Sequence, residues 1–265
     1  MSRPGIRIRV AGRPAHYDRA GAGPPVVLVP GLGLSTRFYE PLLAAFARAG
    51  LDLIVPDLPG FGRTSGSASG HSVPELADWL LRFADALELE RPAWLGHSVG
   101  CQIALRLAAT RPERAAALVL AAPTGAPVRL RLTRQLVSLP RAAVREPLDL
   151  ILAVIRDYVR VLPSAYLGTW LRGGRDRPME ILPAIECPVL LCAGDRDPIC
   201  GAMFLRQLAE GIPGARIAII PGGGHGLPRD SSQRFTEEAA PFLRRAATVA
   251  AQLSAGAVED AGRGG

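Results

Sequence analysis

From residue 26 onward, short strand-like runs alternate with helix-like stretches, and this rhythm leaves few architectures open to the chain. Val26-Val27-Leu28-Val29 is continuously apolar, as a strand covered on both faces must be. Phe38 to Arg48 then reads as a helix, Leu51 to Val55 as a strand, and Pro74 onward as a helix. Ser72 caps that helix, and Glu75 at its third position completes a capping box. Ala93 to Leu95 is a strand, Val99 to Ala109 a helix, and Ala116 to Ala121 a strand. Pro188 to Cys192 and Arg216 to Ile220 are strands with a helix between them, and a further helix begins at Ser232. Strands that alternate with helices build parallel βαβ units with helices on both faces. The expected fold class is therefore α/β, a mostly parallel central sheet flanked by helices. Ahead of it, Ile6 to Val10 alternates like a half-exposed strand, and Pro14 to Arg19 can pair with it as a hairpin.

One block breaks the rhythm. Residues 124–182 hold helical apolar patterns, four prolines (Pro140, Pro147, Pro163, Pro178) and many arginines, but no clear strand. A helical insertion after a core strand reads as a lid over the sheet's carboxyl edge, where open α/β sheets bind ligands. The expected organisation is a core of residues 1–123 and 183–253, a helical lid at 124–182, and a frayed small and polar tail at 254–265. Leu130, Leu136, Leu152, Tyr158 and Trp170 are the lid residues placed to face a pocket, although packing against the core explains each equally well. Of these, Tyr158 and Trp170 are the candidate substrate contacts. Arg129, Arg134 and Arg160 can bind a substrate carboxylate, with solvated surface as the plainer role.

Charge says less than its size suggests. The net charge is +7, and all 31 basic residues are arginine, a compositional habit rather than a patch. No basic run is interleaved with aromatics, so no nucleic-acid partner is expected. Cys101, Cys187, Cys192 and Cys200 have the spacing of neither a zinc site nor a disulfide framework, and no metal is expected. Gly31 and Gly33 begin a dinucleotide fingerprint, but Thr36 stands where its third glycine belongs, so no cofactor is expected. The first ten residues contain no apolar signal core, and no run reaches the ~18 apolar residues of a membrane span. A cytoplasmic protein without stable membrane insertion is the default, with a homodimer left open.

Gly96-His97-Ser98-Val99-Gly100 carries the chemistry. A lone Gly-x-Ser-x-Gly is close to what chance supplies in a chain with 29 glycines, but here a strand precedes it and a helix follows. That setting projects the serine hydroxyl from a strained turn beside a helix N-terminus. A serine needs a general base, and the chain has four histidines. His16 falls in the hairpin, His71 in a Ser/Gly-rich loop, and His97 in the turn itself, with its side chain directed away from that of Ser98. His225 remains, in the glycine-rich segment after the strand Arg216 to Ile220. The third member belongs after the preceding strand, where Asp195 and Asp197 compete, and either also suits a turn. Two backbone N–H groups must hold the oxyanion: that of Val99, and one from the loop after the first buried strand, assigned to Leu32.

With these landmarks in order, the chain resembles the α/β-hydrolase superfamily, in its serine-nucleophile branch with a helical lid. The resemblance covers residues 5 to about 248 apart from the lid. It rests on Val29-Pro30-Gly31-Leu32-Gly33, Asp57-Leu58-Pro59-Gly60-Phe61-Gly62, the Ser98 turn, Gly194-Asp195-Arg196-Asp197 and Gly224-His225. It implies Ser98, Asp197 and His225 as a catalytic triad, because the family pattern Gly-x-x-Asp selects Asp197 over Asp195. It also implies a lid inserted after the sixth core strand. Pro30 stands where many relatives have histidine, and Cys101 where many have glycine; neither removes a backbone donor.

The expected activity is hydrolysis of a small or medium apolar ester or lactone through an acyl-enzyme. A second reading is carbon–carbon bond hydrolysis of a vinylogous diketone acid by the same triad. A third is a non-hydrolytic ligand receptor on the same fold.

Overall fold

The computed structural model describes residues 5–124, 152, 163–173 and 176–263. Eight strands form one sheet in the order β1-β2-β4-β3-β5-β6-β7-β8. They are β1 (Ile6–Val10), β2 (Arg13–Ala20), β3 (Pro25–Val29), β4 (Asp52–Pro56), β5 (Ala93–His97), β6 (Leu118–Ala121), β7 (Val189–Gly194) and β8 (Arg216–Ile220). β2 runs antiparallel to both β1 and β4, and every other neighbouring pair is parallel. The expected α/β class with a mostly parallel sheet is therefore the observed one. Every residue of β4, β5, β6 and β7 is buried, which is why these strands read as apolar runs.

Among the described residues the α-helices are α1 (Glu40–Arg48), α2 (Val73–Ala86), α3 (Gly100–Thr110), α4 (Pro163–Gly173), α5 (Ala202–Gly211), α6 (Leu227–Asp230) and α7 (Ser232–Arg263). Two apolar clusters cover the two faces of the sheet. One draws Leu76, Leu80 and Phe83 from α2, Ile103 and Leu107 from α3, and Leu205 and Leu208 from α5. The other draws Leu42 and Phe46 from α1 with Phe235 and Leu243 from α7. Burying each of these large side chains stabilises the fold by roughly 1.5–3 kcal/mol. The Ser72–Glu75 capping box forms as expected, with Ser72 Oγ accepting from Glu75 N–H and the Glu75 carboxylate accepting from Ser72 N–H.

Several boundaries differ from the sequence reading by a residue or more. Thr36–Tyr39 is a 3-10 turn, and the first α-helix begins only at Glu40, with Pro41 in its first turn, where a missing N–H is harmless. The helix after Ser98 begins at Gly100 rather than Val99, which serves as its N-cap. The bounds of α7 run from Ser232 to Arg263.

Within 124–182 the described residues include α4 and a 3-10 turn at Pro178–Glu180. Helix α4 is tied to the loop after β4, because His71 N–H donates to Thr169 Oγ1 at 2.9 Å. Trp170 is half-buried on this helix, and Leu152 is 65% exposed, so Leu152 faces solvent rather than a pocket. Tyr158, Leu130, Leu136, Arg129, Arg134 and Arg160 lie outside the described residues.

Candidate active site

The parallel strands deliver the chemistry-bearing residues to one edge of the sheet. Ser98 directly follows β5 and has φ of 54°, in the left-handed region that non-glycine residues rarely occupy. Such a conformation costs about 1–3 kcal/mol and persists only where its surroundings impose it. Here the flanking glycines allow it. A Cβ on Gly100 would collide with the carbonyl oxygen of Val29, and one on Gly96 would lie 2.6 Å from Cys101 Cα. The turn therefore sits against the end of β3 at a distance that only glycine permits.

Asp197 lies just beyond β7. Its side chain is fully buried, and Oδ1 accepts from Ile199 N–H at 2.7 Å and Cys200 N–H at 3.0 Å. Its Oδ2 faces His225 Nδ1 at 2.9 Å, and His225 Nε2 faces Ser98 Oγ at 3.0 Å. Burial alone would raise the carboxyl pKa, but the His225 ring and these hydrogen bonds outweigh it and hold Asp197 below the usual carboxylate range. An ionised carboxylate only accepts, so His225 carries its proton on Nδ1 and offers Nε2 to the serine hydroxyl. Asp195 points elsewhere: its Oδ1 accepts from Gly222 N–H at 2.7 Å and fastens the turn after β8. The structure thus brings together Ser98, Asp197 and His225 and leaves Asp195 as a turn residue. Val99 follows Ser98 at the start of α3, and Leu32 lies in the loop after β3. Trp170 stands on α4. Among the described residues no group of three His, Cys, Asp or Glu side chains is arranged to hold a metal ion. No helix among them is long and apolar enough to cross a membrane.

Sequence reasoning set His97 aside, and it missed Tyr39. His97 does point away from Ser98, but it joins a buried polar cluster. Its Nδ1 lies 2.9 Å from Tyr39 Oη, and its Nε2 lies 3.0 Å from the carbonyl oxygen of His225. Phe38 stacks on the ring with centroids 5.7 Å apart. The one sequence signal was strand alternation, which sends neighbouring side chains to opposite faces; nothing in the pattern pointed to Tyr39.

Full burial pushes the His97 imidazole down to about 3, from an ordinary 6.5. Between those values the unfolded chain binds a proton that the native chain does not, so stability falls as pH drops from about 6.5 towards 3. The slope contributed is at most about 1.4 kcal/mol per pH unit. Urea unfolding at pH 7 and pH 4.5 should show wild type losing more stability than His97→Gln over this interval. Parallel losses in the two proteins would contradict this.

The model of the alpha/beta hydrolase fold matches residues 24–159. The chain belongs to the α/β-hydrolase fold family. A putative carbamate hydrolase, RutD, of Azorhizobium caulinodans is 31% identical over 244 residues, covering 84% of this chain and 92% of that protein. Among solved structures, the enol-lactonase from Burkholderia xenovorans LB400 superposes with a TM-score of 0.78 at 22% identity, covering 90% of this chain and 99% of that one. An esterase from Exiguobacterium antarcticum does so with a TM-score of 0.79 at 20% identity, covering 91% and 100%. At these identities the two structures are evidence of a shared fold.

Proposed function

We propose that this α/β-hydrolase fold protein cleaves small or medium apolar esters or lactones through an acyl-enzyme on Ser98. The observation that carries this reading is the unbroken line Ser98 Oγ, His225 Nε2, His225 Nδ1, Asp197 Oδ2, with contacts of 3.0 and 2.9 Å at its two junctions. In it, His225 takes the hydroxyl proton as Oγ bonds to the substrate carbonyl carbon. The carbonyl oxygen becomes an oxyanion held by the N–H groups of Leu32 and Val99, the latter aided by the positive end of α3. The tetrahedral adduct then expels the alkoxide, which receives the proton from imidazolium. Water, deprotonated by the same ring, attacks the acyl carbon, and Ser98 recovers its proton as the acid leaves. Asp197 keeps the imidazole in the required tautomer and stabilises its charged form.

The substrate class draws on two supports. The lid segment carries Trp170 and, outside the described residues, Tyr158, both proposed as apolar contacts for the acyl or alcohol group. The relatives' names (carbamate hydrolase, enol-lactonase, esterase) all denote attack on an acyl carbon, the step this constellation suits.

The direct test is a series of p-nitrophenyl esters graded from acetate to laurate, alongside simple lactones and labelling by a fluorophosphonate probe. Turnover favouring the shorter and middle chains, with stoichiometric labelling, is expected. An unlabelled protein that turns over none of these compounds would sink the reading.

A further inference from the structure

Behind the site, the polar cluster around His97 forms a hydrogen-bonded chain with one possible direction. The His225 carbonyl can only accept, so His97 Nε2, 3.0 Å away, must carry a proton and donate. The ring is buried against Phe38 and stays neutral, so Nδ1 has no proton and accepts from Tyr39 Oη at 2.9 Å. With its proton committed there, Tyr39 Oη accepts from Gly31 N–H, also at 2.9 Å. The order is thus Gly31 N–H to Tyr39, Tyr39 to His97, and His97 to the His225 carbonyl.

Both ends of this chain are main-chain groups of the loops that the acyl-transfer reading puts to work. Gly31 N–H is the amide directly before Leu32, and the His225 carbonyl belongs to the base residue itself. His97, in the middle, is covalently next to Ser98. The loop also passes close over the turn: a Cβ on Gly31 would lie 3.3 Å from His97 Nδ1 and 3.5 Å from Ser98 Cβ. Space-filling would be served by apolar rings such as Phe38. Polar atoms buried here cost desolvation, which only their mutual hydrogen bonds offset.

We propose that His97 and Tyr39 are positioning residues, locking the Gly31–Leu32 loop and the His225 loop in fixed relation to Ser98. The proposal rests on the acyl-transfer reading, since it assigns these loops their purpose. Misplacing a catalytic group by about 1 Å costs on the order of a hundredfold in rate.

Three variants separate the two halves of the chain, assayed on a p-nitrophenyl ester below each protein's unfolding temperature. Tyr39→Phe keeps the ring and removes the hydroxyl, freeing Gly31 N–H. It should lower kcat about 10- to 100-fold, with KM within about threefold of wild type and the acid midpoint of the kcat/KM profile unmoved. His97→Gln keeps a donor at the reach of Nε2 but no acceptor for Tyr39, so it should match Tyr39→Phe. Combining the two should cost no more than either alone, because they break the same link. His97→Asn keeps an acceptor but is too short for the His225 carbonyl, so it alone should move the acid midpoint. The proposal is overturned if Tyr39→Phe merely lowers the melting temperature with kcat unchanged, or if its loss adds fully to that of His97→Gln. Should Tyr39→Phe not fold, the split between His97→Gln and His97→Asn decides by the same criteria. Failure of the acyl-transfer reading itself looks different, since wild type would then neither label nor turn over ester.

Discussion

Replacing Ser98 by alanine should lower ester turnover by about 10⁴- to 10⁶-fold and abolish fluorophosphonate labelling. Alanine removes only the hydroxyl. His225 and Asp197 keep their 2.9 Å contact, and the backbone donors proposed for the oxyanion remain. What disappears is the atom that forms the acyl-enzyme, leaving catalysis by binding and oxyanion stabilisation alone. Because alanine keeps a Cβ at φ of 54°, the strain of the turn is retained and the folded state should change little in stability. Burst kinetics with a p-nitrophenyl ester, normalised by circular dichroism and melting temperature, measure this directly. A variant with more than about a hundredth of wild-type turnover would mean that Ser98 is not the nucleophile, whatever its geometry.

The second large effect is expected at Asp197. Asparagine there keeps one oxygen to accept from Ile199 and Cys200 N–H, so the loop after β7 is preserved. Its amide, however, donates to His225 Nδ1, which forces the ring proton onto Nε2 and points it at Ser98 Oγ. A base that already carries its proton on the facing nitrogen cannot take another from serine. Asp197→Asn should therefore lower kcat by about 10⁴-fold while KM changes little. Asp195→Asn is the paired comparison: it alters an exposed turn bond to Gly222, and turnover should stay within about tenfold of wild type. Equal losses at the two positions would undo the assignment of Asp197. Since Asp197 is held below the usual carboxylate range, it stays ionised through neutral and mildly acidic pH.

Much of this was legible in the chain because each feature has a local physical cause. Strands buried on both faces must be continuously apolar, so β3 and β6 announced themselves. Ser98 was legible through two glycines, Gly100 demanded by the close approach of β3 and Gly96 by that of the first turn of α3. With four histidines in the chain, elimination was enough to reach His225. The choice between Asp195 and Asp197 was not of this kind. Both sit in one short turn with the same chemistry, and only the resemblance to a family favoured one before the geometry showed which carboxylate meets the imidazole.

The sequence by itself determined the α/β class, the alternation of its elements, and a serine placed between strand and helix, because periodicity and turn chemistry act within a few residues. Tertiary structure alone decided the partners. Tyr39 and His97 are 58 positions apart, and His97 and His225 are 128 apart. They meet because β3 and β5 are neighbours in the sheet and the loop after β8 folds back over them. A hydrogen bond depends on distances of tenths of an ångström between groups that packing brings together, and no local pattern encodes such distances.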